Sequence, residues 1–548
     1  MSVDAPLHEP GQLRRSVGFY GLMFVSLGSI IGSGWLLGAL NAAETAGPAS
    51  ILSWILAAGM LTVLALVYAE LGATYPVAGG TGRFPYFSHG ALAGFTAGWA
   101  SWLQAVAIAP IEILAAITYV NSVQAVNQNF PMISSEGENA GLLNSRGLIV
   151  AVLAMIVFTA INLAGAKFMS DSNVIVVLWK TAVPLLAIVV VASLSFHPGN
   201  FTAGGGFMPF GVHGVFAALP AGVVFALQGF EQAVQLAGEA RNPKRDLSKA
   251  IIVAMTIGAL LYILLQATFI AAVDPAHVAK DWSDPLGGGS SDYGAWYTLA
   301  IAVGATWLAV VLIIDAVVSP AGTGIVYLGT SARLSYALGE EREMPGVLAR
   351  VDKRGVPVWS ILVAAVVGIL CFGPFPSWNK LVGVVTGATA IMYAFAPVSL
   401  ASLQMRDKDR ERPYRMPAPK ILLPVAFCSA NLILYWGGYD YTWKLACALV
   451  VGLLLFGIGS SIAHTNALGM LRSAMWIGPW IFGSVIIGAL GQYGVGARQI
   501  LPEWIDLVVV IVFSLIIYYW AISLTMSPEK VQAEIAKDSA QIDYVSIS

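Results

Sequence analysis

The chain has 548 residues, 57% hydrophobic and only 11% charged, with a net charge of −2. A bilayer core about 30 Å thick takes about 20 apolar residues per spanning helix, so this composition predicts an all-α integral membrane protein. Nucleic acid is excluded as a partner, because the basic clusters (Arg241 to Lys249, Arg333 to Arg354, Arg406 to Lys420) are short loop segments beside apolar runs and form no continuous basic face.

The first 16 residues are polar and lead into an apolar run too long for a signal-peptide core, so they read as a retained tail. Apolar runs between charged, Pro-rich or Gly-rich breaks then predict helices near 17–43, 48–74, 89–123, 147–168 and 173–196. A second block of five follows near 212–238, 247–273, 293–338, 357–374 and 377–404. Four more lie near 419–437, 443–463, 471–492 and 502–525, about 14 in all, ahead of a polar tail over 526–548. An even count places both termini on one side. Of 28 Lys and Arg, only Arg146, Lys280, Lys380, Lys444 and Arg498 fall on the opposite side and Lys180 alone lies mid-membrane, so the side of the two termini is expected to be the cytoplasm. The acidic, Gly-rich stretch from Asp274 to Asp292 and the tail after Pro528 read as loop or disorder. Cys371, Cys428 and Cys447 lie in apolar stretches without CxxC spacing, which argues against structural disulfides.

Two spans are interrupted by small residues, and they open the two five-helix blocks. The first holds Gly28-Ser29-Ile30-Ile31-Gly32-Ser33-Gly34. Glycine costs about 1 kcal/mol relative to alanine inside a helix, so three in seven predict local unwinding. Backbone N–H groups of Gly32, Ser33 and Gly34 would then face a cavity, where a helix amino terminus attracts a carboxylate; close helix packing through small residues is the competing reading. The second break, within Pro220 to Glu231, would present carbonyls around Phe225 to Leu227 to an ammonium, or else is a plain proline kink. Irregular backbone at membrane depth persists only where protein or a wet cavity satisfies it, and paired interruptions of this kind point to a transporter site.

The chain resembles the amino acid-polyamine-organocation superfamily of permeases in GSIIGSG, in YAELGATYPVAGG from Tyr68 to Gly80, and in GFEQAVQLAGEARNPKR from Gly229 to Arg245. Within it, RFPYFSHG, LIIDAVVSPAG and FPSWNKLV look most like the bacterial aspartate-proton symporter branch. The resemblance implies an inverted five-plus-five repeat (the LeuT-like fold) over 17–196 and 212–404, four added helices over 419–525, alternating access and proton coupling. It further implies that Ser33 and Gly34 hold a substrate carboxylate, that carbonyls near Ile30, Phe225, Ala226 and Leu227 hold its amino group, and that Phe225 forms an aromatic lid. Lys180 resembles the lysine that stands, in proton-coupled relatives, where a sodium ion sits in others.

From the residues alone, Lys180, Glu112, Asp315 and Glu231 are charges inside apolar spans, which are functional candidates by default or else structural pairs. Ser319 and Thr323 would line the same side of the eighth span. Glu70 and Glu239 read as loop anchors, and Gly79 to Arg83 lacks the Gly-Lys-Ser/Thr ending of a phosphate loop. The six histidines fall in loops or near span ends, so no metal, cofactor or hydrolase site assembles. A secondary carrier is the leading expectation from the residues, and the resemblance implies that its substrate is an amino acid, with aspartate or glutamate the expected preference, and that transport is coupled to protons. An exchanger, or an importer of cationic amino acids or polyamines, is the runner-up, and a channel or sensor ranks below both.

Overall fold

The computed structural model describes residues 17–543 apart from 78, 136–138, 165, 289–293, 341–342 and 463–466. Among the described residues the regular secondary structure is helical, with two isolated bridges. The first half contains α1 (Phe19–Ile30), α2 (Gly34–Ala46), α3 (Ser50–Thr74), α4 (Gly80–His89), α5 (Ala91–Asn121), α6 (Ser145–Ala164), α7 (Ala166–Leu194) and α8 (Gly211–Ala217). After an irregular stretch come α9 (Pro243–Ala272), α10 (Ala295–Ala302), α11 (Thr306–Glu340), α12 (Val358–Cys371) and α13 (Trp378–Arg406). The last third holds α14 (Pro419–Trp436), α15 (Tyr439–Ile462), α16 (Ala467–Ala474), α17 (Ile477–Leu490), α18 (Glu503–Ser523) and α19 (Pro528–Asp543).

Among these residues 11 helical stretches are long and apolar enough to cross a bilayer, and three shorter apolar helices, Phe19–Ile30, Gly211–Ala226 and Val358–Cys371, complete the set. Leu148, Ile149, Leu153 and Ile156 of α6 and Val508, Val512, Ile516 and Tyr519 of α18 are exposed. Apolar faces of this extent are stable against hydrocarbon and not against water. The centre is the reverse: 94% of the most apolar window of α13 is buried, and α5 packs along α11 as α3 does along α9. These inner helices carry the polar side chains of the site and the outer ones shield them from lipid.

Several expected spans are divided. The stretch 293–338 separates into α10 and α11, 471–492 is split between α16 and α17, and the segment Gly79 to Arg83 caps and opens the helix α4. The tail after Pro528 is corrected from loop to helix over Pro528–Asp543, residues 544–548 lying outside the described residues: Val531 and Ile535, one turn apart, are buried, while the Tyr86 hydroxyl donates to Glu534 at 3.2 Å and Met526 N–H donates to Ser88 O at 3.1 Å. A sparse apolar pair at i, i+4 suffices once a neighbouring surface covers it. The acidic stretch after Asp274 is likewise ordered up to residue 288, with Trp282 fully buried and its indole donating to Ala203 O at 3.2 Å. Residues 1–16, expected as a tail, and residues 289–293 lie outside the described residues.

Candidate functional site

The first and sixth passes are both discontinuous, and their breaks touch. Between α1 and α2 the backbone leaves the helix at Ile31 (φ −89°, ψ 87°). The sixth pass is interrupted by a wide turn at Leu219–Val223 and again after Ala226, with Gly229 at φ +115°. A Cβ at Gly229 would lie 2.7 Å from the Ser29 carbonyl carbon, so the sixth-pass gap passes the last turn of α1, where the first pass breaks, with no room for a side chain. The Ser26 hydroxyl donates to Phe230 O at 2.9 Å and clips them together.

At this crossing lies a cavity lined by Ser29, Gly32, Glu112, Phe225, Gln228 and Tyr327, among others. It has room for about one water, so an amino acid needs the surrounding helices to part. Ser33 N–H, which the resemblance assigns to a substrate carboxylate, donates to the Glu112 carboxylate of α5 at 2.9 Å. Gly32 makes this possible: a Cβ there would stand 2.7 Å from Glu112 Oε1 and 3.2 Å from Thr323 Oγ1. The Ser33 hydroxyl accepts from the Trp378 indole at 2.9 Å, and the Trp378 ring meets Phe225 edge-on with centroids 5.6 Å apart. Phe225 thus covers one wall of the cavity, backed by a residue from α13.

The Lys180 ammonium of α7 donates to Gly28 O of α1 at 2.7 Å and to Thr323 Oγ1 of α11 at 2.5 Å. It bridges the first and eighth passes. The buried Glu112 carboxylate acts on it through space. Asp315 sits one turn above Ser319, accepts its hydroxyl at 2.7 Å, and accepts the Trp35 indole at 3.1 Å, which ties α11 to α2. Ser319 therefore serves Asp315, while Thr323 serves Lys180. Glu231 is on the far side of the sixth-pass break, where it accepts Gly229 N–H at 3.0 Å and the Tyr393 hydroxyl at 2.7 Å.

The structure thus gathers Ile30, Gly34, Phe225, Ala226, Glu112 and Thr323 around one cavity and sets Lys180 against it through Thr323. It holds Asp315 and Glu231 to either side. The Ile30 carbonyl already accepts the Tyr262 hydroxyl at 2.9 Å and Gly32 N–H at 3.2 Å, so both of its lone pairs are engaged and a substrate ammonium has to displace one of these donors. Sequence reasoning did not single out Tyr262, Gln228, Tyr327 or Trp378. Trp378 stands beside charged Lys380 at a span end and reads there as an interfacial anchor, and the others are polar residues in spans whose depth only packing reveals.

Two discontinuous helices crossing at a polar cavity deep inside a polytopic bundle define a membrane transport protein of the alternating-access type. The family model described as amino acid permease matches residues 17–439, and this chain belongs to that family. It is 32% identical over 97% of its length to the glutamate/serine transporter AimA of Bacillus subtilis (strain 168), covering 97% of that protein. It is 33% identical over 94% of its length to the aspartate-proton symporter of the same organism, again covering 97%. The branched-chain amino acid permease BcaP matches at 28% over 81% of this chain and 92% of its own length. The chain is a multi-pass membrane permease and not an enzyme.

Proposed function

We propose that the protein is a proton-coupled amino acid symporter that prefers substrates with acidic or hydroxyl side chains. The observation that carries this reading is the Glu112 carboxylate seated on Ser33 N–H, with Lys180 linked to the same place through Thr323. A substrate carboxylate arriving at the unwound turn competes with Glu112 for that N–H. Once displaced, Glu112 is a buried carboxylate without its donor, a situation relieved by taking up a proton. Binding of substrate and binding of a proton are thereby favoured together, which is what symport requires. Lys180, joining Gly28 to Thr323, transmits the change between the first and eighth passes.

The names of the two relatives matched over 97% of their own lengths support acidic or hydroxyl-bearing substrates and proton symport. The Lys and Arg distribution supports cytoplasmic termini in a bacterial inner membrane. The position of the two breaks at the head of 17–196 and 212–404 supports an inverted repeat, with 419–525 as an accessory bundle. A second reading, import of cationic amino acids, is favoured by the buried carboxylates of Glu112, Asp315 and Glu231 in and beside the first- and sixth-pass breaks, set against the single lysine Lys180 there.

The test is uptake of labelled aspartate, glutamate and serine into proteoliposomes with and without an inward proton gradient, competed by neutral and basic amino acids. Accumulation that requires the gradient and is blocked by acidic or hydroxyl amino acids is expected. Block by arginine or lysine alone would transfer the assignment to the cationic reading. Flux seen only with amino acid loaded inside would make the protein an exchanger.

A further inference from the structure

Among the described polar side chains that line the cavity, Gln228 carries a buried group without a hydrogen-bond partner. Gln228 occupies the non-helical gap of the sixth pass, lines the cavity, and is 3% exposed. One end of its amide is fixed: Oε1 lies 3.0 Å from the Thr389 hydroxyl of α13. The other end, Nε2, is buried and has no hydrogen-bond partner. The Thr389 hydroxyl also lies 2.8 Å from Val385 O, and a single proton cannot serve both acceptors fully. Turning the amide over lets Nε2 donate to Thr389 instead, and then it is Oε1 that is left without a partner. Either way one end of a buried primary amide remains unsatisfied, at a cost large enough that such groups are usually kept for a purpose.

Gln228 is also correctly placed relative to the shared part of an amino acid. Trp378 joins the carboxylate position at Ser33 to the aromatic wall at Phe225, and Gln228 lines the same cavity three residues after Phe225, its N–H donating to Phe225 O at 3.2 Å. We propose that Gln228 is a specificity-determining residue that binds the polar end of the substrate side chain. This inference rests on the cavity being an amino acid site. With its NH₂ end open the amide donates to a carboxylate or a hydroxyl oxygen; with its carbonyl end open it accepts from a hydroxyl. One residue therefore reads both acidic and hydroxyl side chains without a buried cation, and it leaves an apolar side chain facing an unpaired amide. Thr389 is the positioning residue that holds the amide in the cavity.

The experiment compares kcat/KM for serine, aspartate and alanine in proteoliposomes carrying wild-type protein, Gln228→Met and Gln228→Glu. Methionine keeps the length and volume and removes the hydrogen bonds. The serine-to-alanine and aspartate-to-alanine ratios are expected to fall at least about tenfold in Gln228→Met, with alanine transport retained, as follows when a hydrogen-bonding subsite is made apolar. Gln228→Glu keeps an acceptor and adds a negative charge, so it is expected to retain serine and lose aspartate. Unchanged ratios in Gln228→Met, or a parallel fall for all three substrates in both variants, would overturn the proposal and leave Gln228 as a packing residue between the sixth pass and α13. Wild-type protein that takes up no amino acid would instead refute the transport reading on which the inference rests, a result visible before any variant is tested.

Discussion

Lys180 concentrates the energetics of the protein in one side chain. An ammonium in the middle of a membrane is tolerated because Gly28 O and Thr323 Oγ1 replace its water and because Glu112 supplies opposite charge. Removing it leaves both oxygens and the carboxylate unmatched, and cuts the link between the first and eighth passes. Lys180→Ala is expected to abolish accumulation driven by a proton gradient while substrate binding to detergent-purified protein survives. Gradient-driven accumulation at the wild-type level would remove Lys180 from the coupling device. The neighbouring Asp315 is bonded by Ser319 and Trp35, an arrangement suited to fastening helices.

At the scale of elements, the two breaks act as a single unit. Their crossing depends on the absence of a side chain at position 229, where φ is +115° and the Ser29 backbone is in contact. Gly229→Ala combines strain at a left-handed position with a clash against backbone, and is expected to destabilise by about 2 to 4 kcal/mol. Gly59→Ala is the matched control: it lies within α3 with nothing within 4 Å of the new methyl, and is expected to be neutral or stabilising by about 0.5 to 1 kcal/mol. Melting temperatures of the two purified variants test the contrast, and equal values would show that the crossing accommodates a methyl group at position 229.

The whole molecule is held at one end by contacts that span the sequence. Glu70 at the end of α3 accepts from Gln404, from the Arg412 guanidinium and from Met416 N–H, so the segment after α13 is strapped to the second pass as a loop anchor should be. Nearby, His89 ends α4 and is buried, with Nε2–H donating to Ala521 O of α18 at 3.0 Å and the Ser473 hydroxyl donating to its carbonyl at 2.6 Å. Burial holds its imidazole down to about 4 from the ordinary 6.5. The folded state thus favours the neutral ring, and the unfolded chain binds the proton first. Stability from this site is complete above about pH 6.5, falls as the pH drops, and levels off near pH 4 after a loss of about 3 kcal/mol. His89→Gln should flatten that part of the profile, and thermal melts of both proteins between pH 4 and 7 measure it. An identical slope in the variant would place the acid sensitivity elsewhere.

Spans, their number, the two breaks and the buried charges were legible in the sequence, because hydrocarbon imposes its demands locally: 20 apolar residues read as a crossing, and glycine clusters or a lone Lys180 violate that pattern wherever they stand. Partners were not legible. That Glu112 sits on Ser33 N–H, that Lys180 reaches Thr323 and not a carboxylate, and that Asp315 belongs to Trp35 depend on helices 79, 143 and 280 residues apart in sequence meeting at one depth. The same holds for Gln228, which in sequence is an ordinary polar residue after a bend. Only the crossing of the unwound strands with α13 pairs one end of its amide with Thr389 and leaves the other open to the cavity, since side-chain satisfaction is a property of packing and has no local signature.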